Sequence, residues 1–205
     1  IDSLGNLEMW RFDANEDSVD PYLSLPVLKR GGDLAYLNGG SVLAVVGEGT
    51  LGRNVHMVDT LIAPNKSVVA SFNAHDSSSG GATAVAYSSR HQYIVSGGNR
   101  GQLIISDIRQ RQVISTIETH TKAIKDLYID PTQTFVVSGS SDGTVKFWSL
   151  QTFKEISSWS QAHVAKGFAR SMSSVTGVTQ VKLSRNSLYT CGADGKVFQR
   201  RYSAK

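Results

Sequence analysis

One phrase recurs along this chain: a short apolar strand, a Gly/Asp turn, then a second strand that closes near a tryptophan. It stands clearest in FVVSGSSDGTVKFW, from Phe135 to Trp148. Weaker copies run from Tyr93 to Asp107 and from Leu188 to Arg200, and SLGNLEMW opens the chain with another, from Ser3 to Trp10. Such self-similarity constrains the fold more than any single residue, because one unit cannot bury its apolar faces alone and must stack on its neighbours. Aligned on the last core residue of the second strand, Trp10, Val58, Ser106, Trp148 and Arg200 are equivalent, in steps of 48, 48, 42 and 52 residues. A four-stranded propeller blade repeats at about 40–45 residues.

Between these points lie further short, β-branched segments bounded by turn residues. One unit reads Ala123–Ile129, Phe135–Ser140, Thr144–Leu150 and Glu155–Trp159; the two before it divide the same way. No stretch sustains a helical period over a dozen residues, so the expected fold is all-β. Asp142-Gly143 and Asp194-Gly195 are hairpin turns, since glycine supplies positive φ without steric cost. The expected blades are 1–30 (partial), 33–73, 82–118, 121–160 and 177–203, about four to five in all. The last strand has no successor to cover it, which leaves a sticky edge and predicts a marginally stable or aggregation-prone chain.

Composition narrows the functional classes. A net charge of +4 over 205 residues is too small and too scattered to imply nucleic acid. The longest apolar runs are far too short to cross a bilayer, and the first residues read as no secretory signal. Cys191 is the single cysteine, so an internal disulfide is impossible and a reducing compartment is expected. Gly47 to Gly52 spells a dinucleotide-binding pattern, but a strand and not a helix follows it, which argues for a wide turn. No cofactor is expected.

His75, His120 and His163 each precede a new unit, 45 and then 43 residues apart. That spacing puts one histidine on each blade and argues against a metal site, whose ligands lie much closer together. The set His120, Ser138, Asp142 and Trp148 resembles the structural tetrad of WD-repeat propellers, in which these four residues form a hydrogen-bonded chain within a blade. The match is partial for His163, Thr190 and Asp194, where Arg200 stands at the Trp place. It is poor for His75 and Ser96, where Arg100 and Ser106 take the Asp and Trp places, and absent around Val42 to Val58. His120, Ser138 and Asp142 also mimic a hydrolase triad, but the pattern recurs in the next unit, as a brace does and a catalytic centre does not. The chain is therefore expected not to be an enzyme.

A closer resemblance runs from about Asp33 to Tyr202. DIRQRQ (Asp107 to Gln112), AIK (Ala123 to Lys125), AHVAK (Ala162 to Lys166) and CGADGKV (Cys191 to Val197) are similar to the C-terminal WD repeats of the DmX-like (rabconnectin) family. Propellers of this kind usually close with about seven blades, the last one completed by a strand from the N-terminal side. The resemblance thus implies a C-terminal partial set of blades within a very large cytosolic scaffold associated with vesicle or endosomal membranes. It further implies a role in assembling the vacuolar proton-pumping ATPase, with the pump's peripheral sector and a second WD-repeat subunit as partners. A general WD-repeat adaptor, or a propeller with a small-ligand site in its central channel, are the alternatives; for the latter, Ala123, Lys125, Thr179 and Lys182 offer no paired carboxylates.

Two surfaces suggest partner contact. Lys166, Phe168, Arg170 and Met172 lie in a stretch, 163–177, longer than a turn needs, where Val164, Phe168 and Met172 would share one face of a short helix. Arg109 and Arg111, with Lys122 and Lys125, are expected to form one basic edge, and Arg200, Arg201 and Lys205 a second. Few aromatics interleave with them, which favours acidic protein or phospholipid over nucleic acid.

Overall fold

The structure is a computed structural model and describes residues 1–10, 21–163, 177–184 and 186–202. Each repeating unit of the sequence becomes an antiparallel sheet. β1 (Asn6–Met9) pairs with β2 (Leu23–Pro26). Three complete sheets follow in simple order. The first holds β3 (Arg30–Leu37), β4 (Val42–Glu48), β5 (Val55–Asp59) and β6 (Val68–Phe72). The second holds β7 (Ala82–Ser88), β8 (Tyr93–Gly98), β9 (Gln102–Asp107) and β10 (Gln112–Glu118). The third holds β11 (Ile124–Ile129), β12 (Phe135–Ser140), β13 (Val145–Ser149) and β14 (Glu155–Trp159). The last sheet has three strands among the described residues, β15 (Val178–Ser184), β16 (Ser187–Gly192) and β17 (Val197–Arg201).

The second strand of each sheet explains the stacking. VLAVVGE, YIVSGG and FVVSGS are buried along almost their whole length, because both faces meet neighbouring sheets. Alternation therefore gives way to continuous apolar runs. Outer strands β10 and β14 are mostly exposed. Four apolar clusters fill the four gaps between consecutive sheets; one joins Ala84, Val95, Leu103 and Ile105 to Ile124, Leu127, Val136 and Trp148. The result is a stack of blades, the arrangement of a partial β-propeller.

Each innermost strand breaks register at the same place, between Gly31 and Asp33, Ala82 and Ala84, Ile124 and Asp126, and Val178 and Gln180. A bulge re-aims the side chain that follows it, and in two blades that side chain is a carboxylate directed at the next sheet. Asp33 Oδ2 accepts the Val85 N–H at 3.0 Å, and Asp126 Oδ2 accepts the Val181 N–H at 2.8 Å.

Several expectations are corrected by the fold. Trp10 occupies the Trp148 place but is 45% exposed, whereas Trp148 is buried. Asp76 caps a short 3-10 turn, Ser77–Ser79, through its carboxylate. Arg109 and Arg111 do not share an edge with Lys122. They sit in the β9–β10 turn, whereas Lys122 enters β11 at the opposite end of the sheets. Lys166, Phe168, Arg170, Met172 and Lys205 lie outside the described residues.

Candidate functional site

The β11–β14 blade holds a continuous hydrogen-bonded chain whose polarity follows from its donors. Trp148 Nε1–H donates to Ser138 Oγ at 3.0 Å, and Ser138 Oγ lies 2.7 Å from His120 Nε2. His120 Nδ1 lies 2.7 Å from Thr144 Oγ1, whose hydroxyl donates to Asp142 Oδ1 at 2.6 Å. Each hydroxyl donates once and accepts once, which puts the imidazole proton on Nδ1. Asp142 also approaches His120 Nδ1 directly at 3.3 Å and accepts the Thr121 N–H at 3.0 Å. Burial pushes the His120 pKa down, against the pull of the Asp142 charge. Burial opposes the charge on Asp142, yet the bonds from Thr144, Thr121 and His120 hold its carboxyl below the ordinary value. Ser138 has no exposed surface, so its hydroxyl offers no path to a substrate.

The neighbouring blades vary this brace. In the last sheet, His163 Nε2 lies 2.9 Å from Thr190 Oγ1 and Nδ1 lies 2.9 Å from Asp194 Oδ1. Phe198 packs against His163 in a tilted arrangement, with centroids 4.9 Å apart. In the β7–β10 blade, His75 Nε2 keeps its serine, Ser96, at 2.9 Å. Its Nδ1 and the Ser106 hydroxyl are buried without partners. Burial accordingly lowers the His75 pKa to about 4. Arg100, at the Asp place, instead forms an exposed ion pair with Asp76 at 3.3 Å. The same two loops are thus tied with the acid on the other side.

A second joint, unread in the sequence, repeats at every blade boundary. The Gly143 carbonyl accepts the Ala162 N–H at 2.8 Å, with the His163 N–H at 3.5 Å, and Gly101 accepts Thr119 and His120 at 3.2 and 3.0 Å. Gly5 does the same for Val27 and Leu28, both at 3.1 Å. Glycine is needed for the positive φ, +86° at Gly101, and because a Cβ there would stand 2.2 Å from the His120 carbonyl. In the β3–β6 blade Arg53 occupies the glycine place, and the following residue substitutes its side chain. Asn54 Oδ1 accepts the Ala74 and His75 N–H at 3.1 and 3.0 Å, and its Nδ2 donates to the His75 carbonyl.

Other singled-out residues fall apart or stand alone. Arg109 pairs with the buried Asp107 at 3.4 Å, and Arg111 is exposed with φ +54°. Cys191 is a half-buried free thiol. Among the described residues no group of three or more His, Cys, Asp or Glu is placed to hold a metal. No helix among them is long and apolar enough to cross a membrane.

The WD domain, G-beta repeat model matches residues 66–106 and 111–149. DmX-like protein 1 of Mus musculus and that of Homo sapiens are each 36% identical over 173 residues, covering 84% of this chain and 6% of their own length. Among solved structures, Chaetomium thermophilum Sqt1 superposes with a TM-score of 0.78 at 21% identity, over 98% of this chain and 52% of that one. The computationally designed Ika8 protein gives 0.65 at 20% identity, over 88% and 48%. These two show likeness of fold alone. The chain spans only 6% of the length of the DmX-like relatives it matches, but most of its own length is similar to them. With its repeats and its braced blades, the chain belongs to the WD-repeat proteins of the DmX-like family.

Proposed function

We propose that this chain is a non-catalytic docking platform within a larger DmX-like factor that regulates assembly of the vacuolar proton-pumping ATPase on vesicle or endosomal membranes. The observation that carries the reading is the bracing of the loops. The polar residues a triad would use are buried and spent on holding turns in place, from Thr121 to Asp142 and from His163 to Asp194. A fold that spends its best-placed histidines on rigidity presents surfaces rather than chemistry. Two carboxylates of the innermost strands, Asp33 and Asp126, are likewise bound to backbone N–H groups of the next blade. In this reading the partners are the pump's peripheral sector and a second WD-repeat subunit, met by exposed residues such as Arg111 and, in 163–177, by Lys166, Phe168, Arg170 and Met172.

Affinity capture of the full-length DmX-like protein that carries this chain, followed by mass spectrometry, tests the proposal. Enrichment of the peripheral sector with a second WD-repeat protein is expected, and it should weaken when Phe168 and Arg170 are both replaced by Ala. A reproducible partner set lacking both would return the chain to the role of a general adaptor.

A further inference from the structure

A cleft of about 880 Å³ opens between the β11–β14 and β15–β17 sheets. Its floor is aromatic. Phe135 meets Phe147 at 5.8 Å and Tyr202 edge-on at 6.0 Å, and Arg200 lies 5.1 Å over the Trp159 ring. Arg90, His91 and Arg201 complete its lining, and no Asp or Glu takes part in it. Among the described residues none of Arg90, Arg200 and Arg201 belongs to an ion pair. Asp130 is buried and turned into its own loop, where it takes the N–H groups of Thr132, Thr134 and Phe135.

The rim is held in place before any ligand arrives. Gln133 bridges two blades: its Oε1 accepts the Ser88 hydroxyl at 3.0 Å and the Arg90 N–H at 2.7 Å, while Nε2 donates to Ser89 Oγ at 2.7 Å. Three guanidinium groups without an ion pair among the described residues, around a floor of rings, suit a ligand that is apolar in the middle and anionic on both sides. Arginine suits this task because its planar fork grips carboxylates bidentately and loses little on desolvation.

We propose that this cleft docks a short segment of a partner protein in which one or two large apolar side chains are flanked by Asp and Glu. The proposal rests on the docking-platform reading and adds the chemistry of what is docked. A recessed aromatic floor fits an inserted side chain better than a planar anionic membrane.

Fluorescence anisotropy of a fluorescein-labelled peptide EEDLFDEE, titrated with the purified chain, tests it. Saturable binding is expected, at least about tenfold weaker for EEDGGDEE, which lacks the anchor, and for the charge-reversed KKSLFSKK. Arg90→Glu and Arg201→Glu should each weaken binding of EEDLFDEE by a similar factor, with unchanged far-UV circular dichroism. Should Arg201→Glu disturb β17, Arg90→Glu decides the matter from its separate loop. Equal affinity for the charge-reversed peptide, or binding indifferent to both variants, would overturn the proposal. So would Arg90-dependent pelleting with phosphatidylserine vesicles without peptide binding, which would assign the cleft to a membrane. Binding by this chain but not by the full-length protein would also overturn it, since the cleft would then be filled from within. Capture of the pump by the full-length protein is read separately and stands or falls alone.

Discussion

Asn54 is where the fold's logic can be tested most sharply, because one side chain there replaces a backbone group. It has no exposed surface, and it satisfies two N–H groups and one carbonyl of the segment that passes from β6 to β7. Asn54→Ala orphans all three in a site closed to water. At about 1–3 kcal/mol for each unsatisfied buried group, and with partial relaxation, the expected loss is about 3–5 kcal/mol. Against a total of about 5–15 kcal/mol for a typical domain, that is a large fraction. Asn54→Asp keeps the acceptor for Ala74 and His75 but sets a carboxylate oxygen against the His75 carbonyl, so it should rescue little. Asn99→Ala is the control: this exposed asparagine donates only to the Ser79 carbonyl, and its loss should cost under about 0.5 kcal/mol. Urea unfolding followed by tryptophan fluorescence gives all three values. If Asn54→Ala fell within about 0.5 kcal/mol of Asn99→Ala, the side chain would not be acting as the missing glycine carbonyl.

Three further outcomes follow from the braces. Ser138→Ala strips partners from both Trp148 and His120 and should cost about 2–4 kcal/mol in the same assay, whereas Ser106→Ala removes a hydroxyl that has no partner and should be neutral or slightly stabilising. His75 titrates near 4 when folded and near 6.5 when unfolded, so the unfolded chain takes up its proton first and stability is lost as pH falls from about 6.5 to 4, by up to about 3 kcal/mol. Denaturation midpoints across that range should fall less steeply in His75→Asn, and an equal slope in both proteins would refute the assignment. Asp126→Ala should cost about 1–2 kcal/mol through loss of the Val181 and Leu127 bonds. Burial raises the Asp126 pKa, so Asp126→Asn, which keeps the Val181 acceptor without the charge, should cost less than Ala when thermal unfolding is compared at pH 7.

What was legible in the sequence depended on period and punctuation. Phe135–Ser140 and Glu155–Trp159 stand in the structure as they read in the chain, because short β-rich runs bounded by turn residues are local signals. The grouping of Arg109 with Lys122 was not legible in this way. Thirteen residues of separation carry one of them across a full strand to the other end of the blade. Asp33 and Asp126 passed unnoticed because a bulge, not the alternation, decides where their carboxylates point. Nothing local to Asn54 says that a neighbouring glycine carbonyl is missing. The cleft draws on the turns after β7 and β11, on β14 and on β17, so only the closed tertiary fold creates it.

The joints between blades show what the repeat requires and what it leaves free. At Gly5, Gly101 and Gly143 a backbone carbonyl receives the incoming chain, and at Arg53–Asn54 a side-chain amide does so. What is required is therefore an acceptor at that point in space, and glycine is one way to place it. The top brace follows the same rule less strictly. Thr121 and Asp142 hold their loops by a hydrogen bond to a half-buried carboxylate, while Asp76 and Arg100 hold the equivalent loops by an exposed ion pair. An exposed pair of that kind contributes little and weakens with salt, and beneath it His75 Nδ1 and the Ser106 hydroxyl lack partners. Rigidity is thus concentrated in the β11–β14 blade and the sheet that follows it, which supply the aromatic floor of the cleft with Arg200 and Arg201, while Arg90 comes from the β7–β10 blade and is tied to them through Gln133. A surface that holds Arg200 and Arg201 without an ion pair among the described residues belongs beside the best-braced part of the fold, since any slack there would let the guanidinium groups find partners of their own.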